Sequence, residues 1–126
     1  MREIEFRAWD QCRNTMFTNS RNVEFKIVNG VVSAVNYDWS GKEQALRVMQ
    51  YTGLKDANGV KIFEGDILSH AVQGPRKVIY PMNEKTAFFG LESVKGWKNT
   101  LQDTALYNVI GNIYENPELL TTEGLL

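Results

Sequence analysis

The sequence predicts an all-β fold, mainly β with one short C-terminal helix, in the form of a small β-barrel or sandwich. Three observations predict it. Turn signals recur at intervals of roughly 8–12 residues, with little helical periodicity between them. Apolar residues alternate with polar ones near both ends of the chain, the period of a strand with one wet face. One hairpin is written out in full around Asn29-Gly30.

In chain order, Ile4, Phe6 and Ala8 alternate with Glu3, Glu5 and Arg7, which predicts a first strand. A polar turn over residues 10–14 leads into a short return strand at 15–18. Val23–Val28 and Val31–Tyr37 flank Asn29-Gly30, a dipeptide suited to the positive φ that a type I′ turn needs at both central positions. A two-residue loop there pairs Ile27 with Val32, Phe25 with Ala34, and Val23 with Asn36 on one mostly apolar face. The other face carries Val28/Val31, Lys26/Ser33 and Glu24/Val35.

Residues 40–50 read two ways. Ser40 with Glu43 matches a capping box, and residues 43–46 favour helix. The alternation through Leu46, Val48 and Gln50 equally suits a strand. A short turn or helix near 41–45 feeding a strand at 46–52 is the favoured expectation. Asp56-Ala57-Asn58-Gly59 is a tight turn with Gly59 left-handed, followed by 60–63, the turn Glu64-Gly65-Asp66 and a strand at 67–70. Gly74-Pro75 and residues 81–84 punctuate strands around 77–80 and 86–91. Tyr107, Val109, Gly111 and Ile113 alternate in a last strand. Asn116-Pro117-Glu118 then reads as N-cap, N1 proline and first-turn acid of a helix of one or two turns.

The 126 residues suffice for one domain with a core of its own, without disulfide or metal. One cysteine (Cys12) and one histidine (His70) make neither an internal disulfide nor a Cys/His zinc site. The charges scattered over the first residues are unlike a signal peptide, and no apolar run approaches the ~20 residues of a membrane span. The expected compartment is the cytoplasm, with no membrane partner.

The candidate sites can be weighed one by one. Glu64 and Asp66 could hold Mg²⁺ or Ca²⁺, but a single acidic pair lacks a cation loop's ligand count, and a structural turn is the stronger reading. Cys12 and His70 could pair as nucleophile and base, yet no oxyanion-stabilising loop or nucleophile motif accompanies them. No phosphate-binding loop or dinucleotide fingerprint occurs, so no cofactor, no metal and no enzymatic activity are expected. Trp9, Trp39, Trp97, Tyr51, Tyr107 and Tyr114 could stack on single-stranded nucleic acid, although aromatics on strands are more often core.

Charge is unevenly spread. Residues 1–70 balance, residues 71–100 carry +3, and residues 101–126 carry −4. The basic stretch supplies Arg76, Lys77, Lys85, Lys95 and Lys98, with Trp97 among them. These six could contact a partner protein or phosphates. An ordinary solvated surface is the simplest reading of this split; of the two specific readings, contact with the acidic C-terminus of a second copy is preferred, because +3 over 30 residues is weak for nucleic acid. The expected partners are therefore a second copy and an unknown protein, with nucleic-acid binding as the alternative.

Three stretches carry a family resemblance. They are Arg2-Glu3-Ile4-Glu5-Phe6-Arg7-Ala8-Trp9-Asp10; Met49-Gln50-Tyr51-Thr52-Gly53-Leu54-Lys55-Asp56 with Asn58-Gly59 and Ile62-Phe63-Glu64-Gly65-Asp66-Ile67; and Val109-Ile110-Gly111-Asn112-Ile113-Tyr114-Glu115-Asn116-Pro117-Glu118-Leu119-Leu120. In this order they resemble the YopX protein family of phages and prophages, while residues 11–48 and 71–105 match loosely. The resemblance implies an N-terminal β-hairpin subdomain over about 1–48 and an SH3-like barrel over about 49–120. It also implies self-association and a bacterial host. No catalytic or binding residue carries over from it.

Overall fold

The computed structural model describes residues 3–18, 23–37, 41, 43–85 and 88–121. Among them, twelve strands and two 3₁₀ turns occur, with no α-helix. The all-β class read from the sequence is the class observed. Two compact units divide the chain: Ile4–Gln50, and Met1–Glu3 together with Tyr51–Leu126.

In the first unit β1 (Phe6–Asp10) lies between β2 (Thr15–Phe17) and the first half of β6 (Arg47–Lys55). Its central position changes one expectation. Arg7, Ala8, Trp9 and Asp10 are all buried, so β1 has no wet face, and Ile4 lies outside the strand, 70% exposed. The turn after β1 is built by the Asp10 carboxylate, whose Oδ1 accepts the backbone N–H of Cys12 (2.9 Å) and Arg13 (3.2 Å).

β3 (Val23–Val28) and β4 (Val31–Tyr37) pair in the register the Asn-Gly loop dictates, from Val23↔Asn36 to Val28↔Val31. Asn29 and Gly30 both have positive φ, 52° and 78°. The inner half of this hairpin packs Val23, Phe25 and Ala34 on a core with Ala8, Leu46, Phe17 and Val48. Its outer end does not reach that core, and Ile27, Val28 and Val31 are 74%, 57% and 64% exposed. The favoured turn or helix at 41–45 is overturned. Glu43–Ala45 is strand β5, paired with β4 through Val35↔Ala45 and Tyr37↔Glu43. Pairing with a ready strand outweighs a helix propensity of a few tenths of a kcal/mol per residue. Ser40, the other half of the supposed capping box, lies outside the described residues, as does Trp39.

In the second unit the far half of β6 pairs with β7 (Lys61–Phe63), with a bulge between Tyr51 and Lys55 where Gly53 has φ 86°. A five-stranded antiparallel sheet runs in the order β11-β10-β9-β8-β12, compatible with the SH3-like barrel the resemblance implies. Its strands are β8 (Asp66–His70), β9 (Arg76–Ile79), β10 (Gly90–Ser93), β11 (Lys98–Thr100) and β12 (Tyr107–Asn112). Ile62, Leu68, Val78, Leu91, Leu101 and Tyr107 form the core. Ile110 is exposed as the alternation requires, but a bulge between Val109 and Gly111 shifts the end of β12, so Asn112 is buried where strict alternation would expose it.

The expected C-terminal helix is a single 3₁₀ turn, Pro117–Leu120. Asn116 precedes it but makes no side-chain cap. Its Oδ1 instead accepts the backbone N–H of Asn112 (3.3 Å), while Asn112 Oδ1 accepts from Tyr114 (3.0 Å) and Glu115 (2.8 Å).

Candidate functional site

Strand order places the basic residues of 76–98 on three neighbouring strands and their loops. Glu92 of β10 stands directly between Lys77 of β9 and Lys98 of β11 in register. Its Oε1 lies 3.0 Å from Lys77 Nζ and its Oε2 3.8 Å from Lys98 Nζ. This acid offsets two of the six candidate contacts, which weakens the basic surface that the linear sequence suggests. Arg76 is the residue before Lys77 and so faces the other side of β9, where it is half-buried.

Lys95 and Trp97 sit in the loop joining β10 to β11. That loop is closed by Trp97 N–H to Ser93 Oγ (3.0 Å) and Ser93 N–H to the Trp97 carbonyl (2.8 Å). The ring of Trp97 is 74% exposed. Lys85 follows the cis Tyr80-Pro81 turn, and with Lys98, Met82 and Asn83 it lines an open groove of about 710 Å³. The six residues therefore fall into three places: a charged row (Lys77, Lys98), a groove (Lys85, Lys98) and a loop tip (Lys95, Trp97), with Arg76 apart.

Lys98 and Met82 also border a second cleft, of about 490 Å³, reached by His70, Gln73 and Tyr107. The sequence treats Tyr107 as core, and its ring is buried. Its hydroxyl nevertheless lies 3.4 Å from Gln73 Oε1, and its ring centre is 5.1 Å from that of His70. No local signal foretells this cleft, because its walls come from four separate strands and turns.

The other candidates are engaged in building turns. His70 Nδ1 accepts backbone N–H from Val72 (3.1 Å) and Gln73 (3.3 Å), so that nitrogen closes the turn after β8. Cys12 is an exposed thiol in the other unit. Asp66 is 1% exposed, and its Oδ2 accepts the Phe63 N–H at 2.8 Å across the turn that Gly65 (φ 86°) makes. Among the described residues no group of three or more His, Cys, Asp or Glu is placed to hold a metal ion. Of the stacking candidates, Trp9, Tyr51 and Tyr107 are buried, Tyr114 is half-buried, and Trp97 is exposed.

Asp56 is a functional carboxylate in the structural sense, and only its turn is legible in the sequence. It is buried, and burial alone would push its pKa up. Backbone N–H groups of Val109, Val60, Asn58 and Gly59 outweigh that and hold it below the usual carboxylate value. No helix among the described residues is long and apolar enough to cross a membrane.

Comparison with known proteins bears on the whole chain. No curated protein matches it. The chain is similar to the crystal structure of protein EF1440 from Enterococcus faecalis, at 28% identity and a TM-score of 0.61. That alignment covers 96% of this chain and 100% of that one. It shares its fold with the crystal structure of yopX from Bacillus subtilis (19% identity, TM-score 0.54, 93% and 95% of the two chains). The sequence profile described as YopX protein matches residues 5–121, and on that match the chain belongs to the YopX protein family.

Proposed function

We propose that the chain is a non-enzymatic phage or prophage accessory protein. It acts in the host cytoplasm through protein–protein contacts, self-association among them. The observation that carries this reading is the outer end of the β3–β4 hairpin. Three β-branched side chains, Ile27, Val28 and Val31, stand in water on both of its faces, beyond the core that buries the rest of the hairpin. Such a cluster on a two-stranded arm is costly to leave exposed and is suited to contact with another protein. The Asp66 carboxylate and one ring nitrogen of His70 accept backbone N–H groups of their own turns. Light scattering of the full chain at micromolar concentration tests the reading. Assemblies larger than one chain are expected, and a strict monomer overturns the self-association.

A second reading, single-stranded nucleic-acid binding, is favoured by one observation: Trp97 and Lys95 share a loop tip, an exposed ring two residues from a cation. Glu92 between Lys77 and Lys98 argues against it. Titration with a fluorescent oligonucleotide at low salt is expected to show no binding. Salt-dependent binding that is lost in Lys77→Glu with Lys98→Glu would establish this alternative.

A further inference from the structure

The three-stranded sheet of the first unit is ordered β3-β4-β5, so one side of β3 meets no strand among the described residues. Its hydrogen-bonding pattern follows from the two-residue loop. Val28 and Val31 flank that loop and exchange both backbone bonds, and the pattern alternates from there. Glu24 and Lys26 therefore turn their N–H and C=O groups toward β4. Val23, Phe25 and Ile27 turn theirs outward. β3 contains no proline and no bulge, the usual protections of an edge, and its one lysine is Lys26.

That charge has a complement two residues away. Glu24 and Lys26 share the solvent face of β3, about half-exposed, with their charged atoms 3.8 Å apart. We propose that β3 pairs antiparallel with β3 of a second copy across a two-fold axis at Phe25, a reading that rests on the self-association proposed above. In this register Phe25 faces Phe25 of the partner subunit, and Val23 faces the partner's Ile27. These are the residues whose backbone groups point outward, so each facing pair exchanges both bonds. On the solvent face Glu24 lies opposite the partner's Lys26, and by symmetry the same contact recurs on the other side of the axis.

Other registers fail on charge. A slip one way that keeps the outward groups paired sets Glu24 opposite the partner's Glu24, and the opposite slip sets Lys26 opposite the partner's Lys26. Larger slips leave only half the strand paired. The sequence Val23-Glu24-Phe25-Lys26-Ile27 is thus complementary to its own reverse, which identifies a second copy as the occupant of this edge.

The test is sedimentation velocity of the full chain over a concentration series, with Glu24→Lys, Lys26→Glu and the double variant. Both side chains are exposed, so the variants retain the fold. Each single reversal turns two attractive contacts into repulsive ones, and a rise in dimer Kd of about tenfold or more is expected. The double reversal restores opposite charges and returns Kd to within about threefold of wild type. A dimer that the single reversals leave unchanged, or that the double variant does not restore, overturns this pairing and leaves self-association standing. A wild-type monomer at every concentration overturns both.

Discussion

Asp56 accepts three backbone N–H groups on its carboxylate, from Asn58 (2.8 Å) and Val60 (2.9 Å) on Oδ1 and from Val109 (2.9 Å) on Oδ2. It fixes its own turn and fastens that turn to β12, 53 residues later. Replacing it with Asn puts an NH₂ where one of those N–H groups must be accepted. A loss of about 1–3 kcal/mol is expected in urea unfolding at pH 7. The folded-state pKa is below the unfolded-state one, so this contribution is complete above the unfolded value and is lost as pH falls through the folded one. The urea midpoint of the wild type should fall on acidification below about pH 4, and that of Asp56→Asn should fall less over the same interval. Gly111 offers a second test. A Cβ built there would lie 2.5 Å from Asn116 Oδ1 and 2.8 Å from its Cγ, so Gly111→Ala must displace the side chain that accepts the Asn112 N–H. A cost of about 1–3 kcal/mol is expected, partly relieved in Gly111→Ala with Asn116→Ala, as thermal unfolding would report. The sequence marks both residues, as a turn acid and a strand glycine. It does not show that each is held by a residue outside its own turn.

At the scale of elements, the β3–β4 hairpin was fully legible because a two-residue Asn-Gly loop fixes register by backbone geometry alone. β5 was not, because its residues favour helix and its strand state comes from β4, several residues upstream. The one-sided reading of β1 failed for a related reason: alternation reports a wet face only on a strand that stays uncovered, and β1 is buried on both. The candidate contact surface was half legible. The basic residues could be counted in the sequence, but Glu92 between Lys77 and Lys98 is visible only once β10 is known to lie between β9 and β11. Core positions of the five-stranded sheet should behave as a unit. Leu68 is fully buried among Val78, Leu91 and Tyr107, and Leu68→Ala should lower stability by about 2–5 kcal/mol in urea unfolding. At the exposed hairpin end the expectation reverses: Ile27→Ser should change unfolding by no more than about 0.5 kcal/mol while weakening any assembly that light scattering detects.

For the whole molecule, composition and charge excluded more than they specified. The single Cys and His lie in different units, Cys12 exposed and His70 with one ring nitrogen engaged by its own turn. The −1 net charge conceals a basic stretch and an acidic tail, yet part of the basic stretch is neutralised within its own sheet. Three surface features stand out: a hairpin end, the outer edge of β3 and a tryptophan tip. Phe6 and Gln50 are direct partners in the β1–β6 ladder, so the chain enters and leaves the intervening segment at backbone positions about 5 Å apart. Residues 6–50 thus begin and end on one strand pair. Changes of length or charge between these two positions leave the distance between the two ends unaltered, because the ladder and not the intervening sequence sets it.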